Sequence, residues 1–493
     1  MAGRGSSFVG VLRSGRCGRC GFSTTHARRE LLDVATLPDR IVPRYEEAPG
    51  SSLLSLHWPQ PPRNVLIMPK LHAPHVTRSA IAFAQHLARN YPDLHLVFES
   101  RIAHDIHEAL PVPVYTARAG DPSRLYPQKI DLVATLGGDG TILRAASLFS
   151  LQPDVPPILS FSMGTLGFLG EWKFDEYKRA WREVYMSGSG VAVDDLAVRP
   201  EQGQGTAAGA APDTAEIPHD AGWGSVRGQS MGVKRVSRML LRHRLKVGVY
   251  DQNGVNINDK LVPTSVTDAS QGLLPGGGGG SGGIQIGSVG AIDAATTAAA
   301  VATVGPVPPR TTPAFHAINE LLIHRGPHPH LAIIDIFLNN HFLTEAVADG
   351  ILVSTPTGST AYSLSAGGSI IHPLVSSLLL TPICPRSLSF RPLVLPLNTQ
   401  IVLRLSPRNR GRELEVSIDG KRKTGVGIGM EVRVEGEAVG RTADGSWRGG
   451  VPCVIRAPKK GGDGNGVLED DDGWVGGLNG LLKFNYPFGE VPP

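Results

Sequence analysis

One stretch of twenty residues, IDLVATLGGDGTILRAASLF at 130–149, narrows the fold more than any other part of the chain. Residues 130–136 are mostly apolar and partly β-branched, and at about seven residues they have the length of a strand buried on both faces. They run without a spacer into Gly137-Gly138-Asp139-Gly140-Thr141. A helical pattern follows at once, with Ile142, Ala145, Ala146 and Phe149 at i, i+3, i+4 and i+7. A buried strand that feeds a helix through a glycine turn is half of a βαβ unit, which demands a parallel sheet with helices over its faces. Ligands of such sheets bind beyond the carboxyl ends of the strands, where this turn would lie.

Glycines let backbone amides come close to a ligand, and a helix N-terminus attracts phosphate. Asp139 breaks that pattern, because a carboxylate repels a phosphate unless a metal or a reacting proton needs it. Two readings follow. Either Asp139 draws a proton from a hydroxyl during phosphoryl transfer, or it caps the helix of an ordinary βα turn.

The neighbouring segments continue the alternation. Residues 64–68 (NVLIM) read as a strand, 76–90 as a helix with Ile81, Phe83, Ala84, Leu87 and Ala88 on one face, and 94–98 and 157–161 as further strands. From Val191 the texture changes. Residues 238–250, 333–338, 401–405 and 414–418 are strand-like and helical runs become scarce. The expected fold class is an α/β N-terminal domain, with a Rossmann-like parallel sheet, followed by a mainly β C-terminal domain. Expected boundaries are a targeting segment at 1–36, a proline-rich linker or arm at 37–63, the α/β domain at 64–192 and the β domain at 193–456. Residues 457–493 form a C-terminal segment. Two small-residue stretches, about 201–234 and 252–315, are expected to be disordered insertions in the β domain.

Gly 60 and Pro 39 make up about a fifth of the 493 residues, above the usual share, but the excess is concentrated in those insertions. Residues 1–29 hold six arginines, no lysine and no acid, with Phe8, Val9, Val11 and Leu12 interleaved, which has the texture of a mitochondrial presequence. Without these arginines the formal charge falls from +4 to −2, which argues against a general nucleic-acid binder. Of four cysteines, Cys17 and Cys20 have CxxC spacing without a second pair, so neither zinc nor a disulfide framework is expected. No run reaches the ~18 apolar residues of a membrane span. The histidines of HRGPHPH, at 324, 328 and 330, are broken by glycine and prolines and suit no common metal site. A second GGDG at 461–464 lacks both the preceding strand and the following helix, and is set aside.

A second informative stretch is ADGILVSTPTGSTAYSLSAGGSIIHP at 348–373. After the strand-like 351–353, Ser354, Thr355, Thr357, Ser359 and Thr360 supply five hydroxyls in seven residues. At that density, hydroxyls and open amides can bind sugars and phosphates, and Tyr362 can stack on a purine or ribose.

Taken together, LGGDGT from Leu136, MGTLGFL from Met163, Asn319-Glu320, and Asp349-Gly350 with 354–362 resemble the NAD kinases, in that family's order. The runs FLGEWKFDEYKRA from Phe168 and TPICPRSLSFRP from Thr381 resemble fungal mitochondrial NADH kinases most. GGDGT by itself is shared with lipid kinases and phosphofructokinases. The resemblance implies ATP-dependent phosphorylation of the 2′-hydroxyl on the adenosine ribose of NAD⁺ or NADH, with Mg²⁺ bridging ATP. It makes Asp139 the base. It sets Gly138, Gly140 and Thr141 against phosphates, with Arg144 either reaching an ATP phosphate or covering the helix flank. It assigns Asn319 and Glu320 to the adenine–ribose part of NAD(H), and Thr357, Thr360, Ala361, Tyr362 and Ser365 to the pocket, with Asp349 and Phe168 nearby. It gives the C-terminal domain a β-sandwich-like form, and the segment 481–488 would fold back on the α/β domain. The partners expected are ATP and NAD(H), with no nucleic acid and no membrane, in a homo-oligomer of the mitochondrial matrix. Two rivals stand beside this: a GGDGT-type lipid kinase, which has no need of the 354–362 loop, and a non-catalytic NAD(H) sensor.

Overall fold

The structure is a computed structural model that describes residues 30–47, 51–118, 121–164, 167–170, 172–188, 236–258, 314–443 and 446–456, with single positions 474 and 478. Its first half is built on an eleven-stranded sheet. From one edge the order is Leu31–Asp33, Val114–Thr116, His95–Phe98, Asn64–Pro69, Leu132–Gly137, Ile158–Ser162, Val451–Val454, Arg238–Arg242, Leu54–His57 and Arg44–Glu47, with Trp172–Lys173 also on Ile158–Ser162. Pairing is parallel through Val451–Val454 and antiparallel beyond it.

Strand alternation divides the core. Val65, Ile67, Leu132, Ala134 and Leu136 face the helices Pro74–Asn90, Ser100–Ile106 and Tyr177–Tyr185. Leu66, Met68 and Val133 face Pro122–Lys129 and Asp139–Ser147. This is the two-residue period of a sheet covered on both sides. On Pro74–Asn90 the buried residues are Val76, Ala80, Phe83, Ala84 and Leu87, while Ile81 and Ala88 are only half-buried. The apolar face is thus rotated from the expected one.

The second half is a β-sandwich. One sheet runs Phe315–Ala317, Leu245–Tyr250, Glu431–Gly436, Ile401–Leu405, Ala332–Leu338 and His341–Ala348; the other runs Leu393–Pro396, Ser377–Ile383, Gly350–Ser354, Glu320–His324, Glu413–Ile418 and Lys421–Gly427. All pairings are antiparallel, and the inner faces share one core that includes Val247, Ile334, Val353, Leu403 and Val416.

Several expected boundaries are corrected. The segment expected to be targeting sequence up to residue 36 contains an edge strand, Leu31–Asp33, and the fully buried Val34. The expected linker at 37–63 contributes two strands and the buried Leu37, Leu56 and Trp58. These strands are three or four residues long, too short for a period to show, and their partners are far away in sequence. Arg238–Arg242 and Val451–Val454, expected in the β domain, complete the first sheet instead. Residues 252–258, expected to open the second insertion, belong to the fold: buried Asn258 accepts from Val249 N and donates to Val247 O. Phe315, at the expected end of that insertion, is likewise buried in the strand Phe315–Ala317; residues 201–234, 259–313 and 481–488 lie outside the described residues, as do residues 1–29.

Asp131 explains how the arm is held. Its buried carboxylate accepts from Ile41 N at 2.6 Å, Arg63 N at 2.6 Å and Asn64 N at 2.8 Å, joining the arm to the start of two central strands. Burial pushes its carboxyl up, and these donors oppose the shift. Replacing Asp131 with alanine leaves three amides without their acceptor, and should cost roughly 2 to 3 kcal/mol of unfolding free energy in urea titrations. A loss below the error of the titration would show that the arm is held otherwise.

Candidate active site

The site begins where the Leu132–Gly137 strand ends. Gly137 has φ +156°, and a Cβ there would meet Thr141 Oγ1 at 2.4 Å and Lys70 Cβ at 3.1 Å, so no other residue fits. Gly138 is extended and opens the helix Asp139–Ser147, hereafter the motif helix, and its carbonyl accepts from Thr141 N at 2.8 Å. A Cβ on Gly138 or Gly140 would meet nothing within 4 Å, and both glycines are exposed. Exposed amides at the start of a helix, with open space before them, suit a phosphate chain.

Asp139 is half-buried at this turn. Its two oxygens accept from Phe168 N and Leu169 N, each at 3.1 Å. A Cβ on Gly167 would lie 2.1 Å from Asp139 Oδ1, so the carboxylate can seat only because that residue has no side chain. The 167–169 stretch of the MGTLGFL motif therefore holds Asp139 through its backbone.

Across the cleft, the hydroxyl-rich loop follows the buried strand Gly350–Ser354 and turns through Thr357–Thr360 and Tyr362–Ser365. Most of its hydroxyls bond the loop to itself. Thr355 Oγ1 donates to Ile318 O and accepts from Gly358 N, and Thr355 N donates to Asn319 O at 2.9 Å. Ser359 Oγ donates to Pro356 O and accepts from Ile371 N, and Thr360 Oγ1 donates to Thr357 O. A Cβ on Gly358 would fall 2.1 Å from Asn319 O. The loop is thus seated on the backbone of Asn319. Tyr362 projects outward, 43% exposed.

Arg242 joins the two sides. Buried at 2% exposure, it sets Nη2 3.3 Å from Phe168 O and Nη1 3.5 Å from Thr357 Oγ1. Asp139, the 167–169 backbone, Arg242, Thr357 and Asn319 therefore form one connected set. Nothing in the local sequence distinguishes Arg242 from other strand arginines, and the sequence reading missed it.

It also missed Asp419. The Asp419-Gly420 pair, both at positive φ, turns the hairpin between Glu413–Ile418 and Lys421–Gly427. Asp-Gly between two alternating runs is a hairpin signal, but that signal says nothing of the carboxylate. Asp419 accepts from Ile318 N, Asn319 N and Glu320 N at 2.9, 2.8 and 3.1 Å, fixing the Asn-Glu pair. The buried Asn319 Oδ1 and Glu320 Oε2 have no protein partner, which leaves both side chains able to meet a ligand.

Arg144 takes the second of its two readings, and Asp349 is held by a different partner. Arg144 donates to Pro69 O at 2.7 Å and pairs with Glu99 at 3.1 Å, so its guanidinium covers the helix flank instead of facing the turn. Asp349 pairs with Arg325 at 2.6 Å, at the end of the Gly350–Ser354 strand opposite Ser354, where that strand's register sets Gly350 against His324 and Ser354 against Glu320. Within the chain it stands apart from Asn319 and Thr357. Among the described residues no cluster of three or more His, Cys, Asp or Glu could hold a metal.

An α/β domain with a carboxylate at an open glycine turn, bridged to a β-sandwich that presents a hydroxyl-rich loop and the unpartnered Asn319 and Glu320 oxygens, has the make-up of a two-domain phosphotransferase. Comparison with known proteins makes this specific. Residues 80–189 match the model of the ATP-NAD kinase N-terminal domain, and 318–437 that of the ATP-NAD kinase C-terminal domain. The chain is 33% identical over 463 residues to the mitochondrial NADH kinase pos5 of Schizosaccharomyces pombe, covering 92% of this chain and 85% of that one. It is 30% identical to the mitochondrial NADH kinase POS5 of Saccharomyces cerevisiae, covering 89% and 85%. A crystal structure of yeast NADH kinase complexed with NADH superposes with a TM-score of 0.63 at 28% identity, covering 94% of this chain and all of that one. The chain belongs to the NAD kinase family.

Burial, with the Asp419 carboxylate beside it, pushes the Glu320 carboxyl up to about 7 from 4.5. Between those values the folded chain keeps a proton that the unfolded chain gives up. The stability this confers is complete below pH 4.5 and is lost as pH rises through about 7. Glu320→Gln should therefore flatten the fall in unfolding free energy over that window. Equal slopes for the two proteins in denaturant titrations at several pH values would refute the assignment.

Proposed function

We propose that the protein transfers the γ-phosphoryl group of ATP to the 2′-hydroxyl of the adenosine ribose of NAD⁺ or NADH, giving ADP and NADP⁺ or NADPH. The observation that carries this is the connected set from Asp139 to Asn319: a fixed carboxylate at an open anion-accepting turn, linked by Arg242 to a polar pocket on the facing domain. Family membership and the NADH named in the similar yeast structure support the choice of substrate.

In this reading Gly138, Gly140 and Thr141 face the ATP phosphates. Asn319 and Glu320 use their unpartnered atoms on the adenosine ribose and base, and Thr357, Thr360, Ala361, Tyr362 and Ser365 line the dinucleotide pocket beside Phe168. Asp139 takes the proton of the 2′-hydroxyl as its oxygen bonds to the γ-phosphorus, while the bond from that phosphorus to the β–γ bridging oxygen breaks and ADP leaves. A secondary hydroxyl is a weak nucleophile at neutral pH, so a positioned base matters. Mg²⁺ entering with ATP supplies charge neutralisation on the transferred group. At the exposed Gly138 and Gly140 no side chain stands within 4 Å of where a Cβ would lie, so the turn leaves its phosphate-facing side uncovered.

The arginine-rich start and the mitochondrial relatives support a mitochondrial location, and we place the enzyme in the matrix. Phe342 and Leu343, 60% and 41% exposed on the edge strand His341–Ala348, support assembly into a homo-oligomer through the β-sandwich.

Asp139→Asn keeps the shape of the side chain and removes the base. Turnover with Mg-ATP and NAD⁺ or NADH should fall ~10² to 10⁴-fold with the circular dichroism spectrum unchanged. Turnover near that of the wild type would exclude Asp139 as the base.

A further inference from the structure

Among the described residues the chain passes from the α/β domain to the sandwich at 242–245 and returns at 436–451. Both crossings meet at one buried ion pair. Arg244, 2% exposed, donates through Nε to Glu437 Oε2 at 2.7 Å and through Nη2 to Oε1 at 2.5 Å. Glu437 also accepts from Gly450 N at 2.7 Å, and its own N–H donates to Arg244 O at 2.8 Å. The outgoing and returning strands are thereby tied together.

The same guanidinium reaches further. Nη1 donates to Phe149 O at 3.3 Å, and Nη2 lies 3.0 Å from Gln152 O and 3.2 Å from Pro153 O. These carbonyls belong to the turns that follow the motif helix, whose other end carries Asp139. The motif helix is nine residues long and spans about 13 Å, so the turns that hold Phe149 lie just beyond the end opposite Asp139. Two residues before Arg244, Arg242 contacts Phe168 and Thr357 at the cleft. One short crossing thus holds the motif helix from behind and the cleft from the front.

We propose that Arg244 is a positioning residue for the phosphoryl transfer: by locking the interdomain crossing to the end of the motif helix, it sets where Asp139 stands relative to the ribose bound on the sandwich. This rests on the site reading above. A buried ion pair seldom adds much net stability over a packed apolar pair, because desolvation offsets the attraction. What a planar arginine fork supplies is direction, since it holds a carboxylate and several carbonyls in one fixed arrangement. Loss of that arrangement leaves each substrate its own domain to bind, yet misaligns the reacting atoms. A misplacement of about 1 Å can cost ~10²-fold in rate.

The test compares Arg244→Met, the double variant Arg244→Met/Glu437→Leu and Arg244→Lys in the full chain, by melting temperature and by kcat and KM for ATP and NAD(H). In Arg244→Met, kcat should fall ~10 to 10²-fold with each KM held within about threefold. Its melting temperature should also fall, because Glu437 is left buried without its arginine, beside only Gly450 N–H and the His316 ring, which burial holds below the usual imidazole range. The double variant removes the buried charge but also the acceptor of Gly450 N–H, so it should regain part of the melting temperature without regaining kcat. Recovery of both together would make the pair merely structural and overturn the proposal, as would a rise in KM at unchanged kcat. If neither methionine variant folds, Arg244→Lys decides: it keeps a cation beside Glu437 but gives up the fork, and a wild-type kcat there overturns the proposal. Asp139→Asn, assayed alongside, separates failures. Wild-type turnover in that variant refutes the site, whereas its loss together with an unaffected Arg244 series refutes only the hinge.

Discussion

Asp139 can stand where it does only because Gly167 has no side chain. The carboxylate occupies the volume a Cβ would take and receives the next two amides, Phe168 and Leu169, in return. A carboxylate held by two backbone donors keeps a fixed direction. Much of the rest follows from that seat. Gly137 must accept a positive φ so that the strand can deliver Asp139 to the helix start. The carbonyl of Phe168 is turned toward Arg242, whose guanidinium reaches the opposite domain.

The pocket on that domain is organised by a different economy. Its hydroxyl density first suggests direct contact with a sugar and phosphates, yet Thr355, Ser359 and Thr360 bond to the loop's own backbone or to Ile318. In a tight turn without a ladder, backbone groups need such partners, and short hydroxyl side chains supply them. What remains open for a ligand is the Asn319–Glu320 pair, held by three amide bonds to Asp419. Raising the Glu320 carboxyl to about 7 is the consequence of gathering two acids in a buried place.

Elements with a local signature were legible. The strands at 132–137, 401–405 and 413–418 stand close to where alternation and apolar runs place them, and the GGDGT turn lies at the carboxyl end of its strand. Elements stabilised by distant partners were not. Leu31–Asp33 and Leu54–His57 read as a presequence end and a linker, because three or four residues carry no period and the pairings that make them strands come from 114–116 and 238–239. Arg144 and Asp349 have the right types near the right motifs, but Glu99 and Arg325 claim them. No local rule predicts which carboxylate a surface arginine will meet.

The sequence by itself determined the two-domain class, the glycine turn at the end of its strand, the acid within that turn and the hydroxyl-rich loop of the second domain. Each of these is written in residues adjacent along the chain, where backbone geometry leaves few alternatives. Only the tertiary structure decided that Gly167 makes room for Asp139, that Asp419 fixes the Asn-Glu pair, and that Arg242 and Arg244 bind the halves together. Those contacts join residues from 28 to 193 positions apart. Their energy depends on burial and direction at distances of about 3 Å, which a linear pattern does not record.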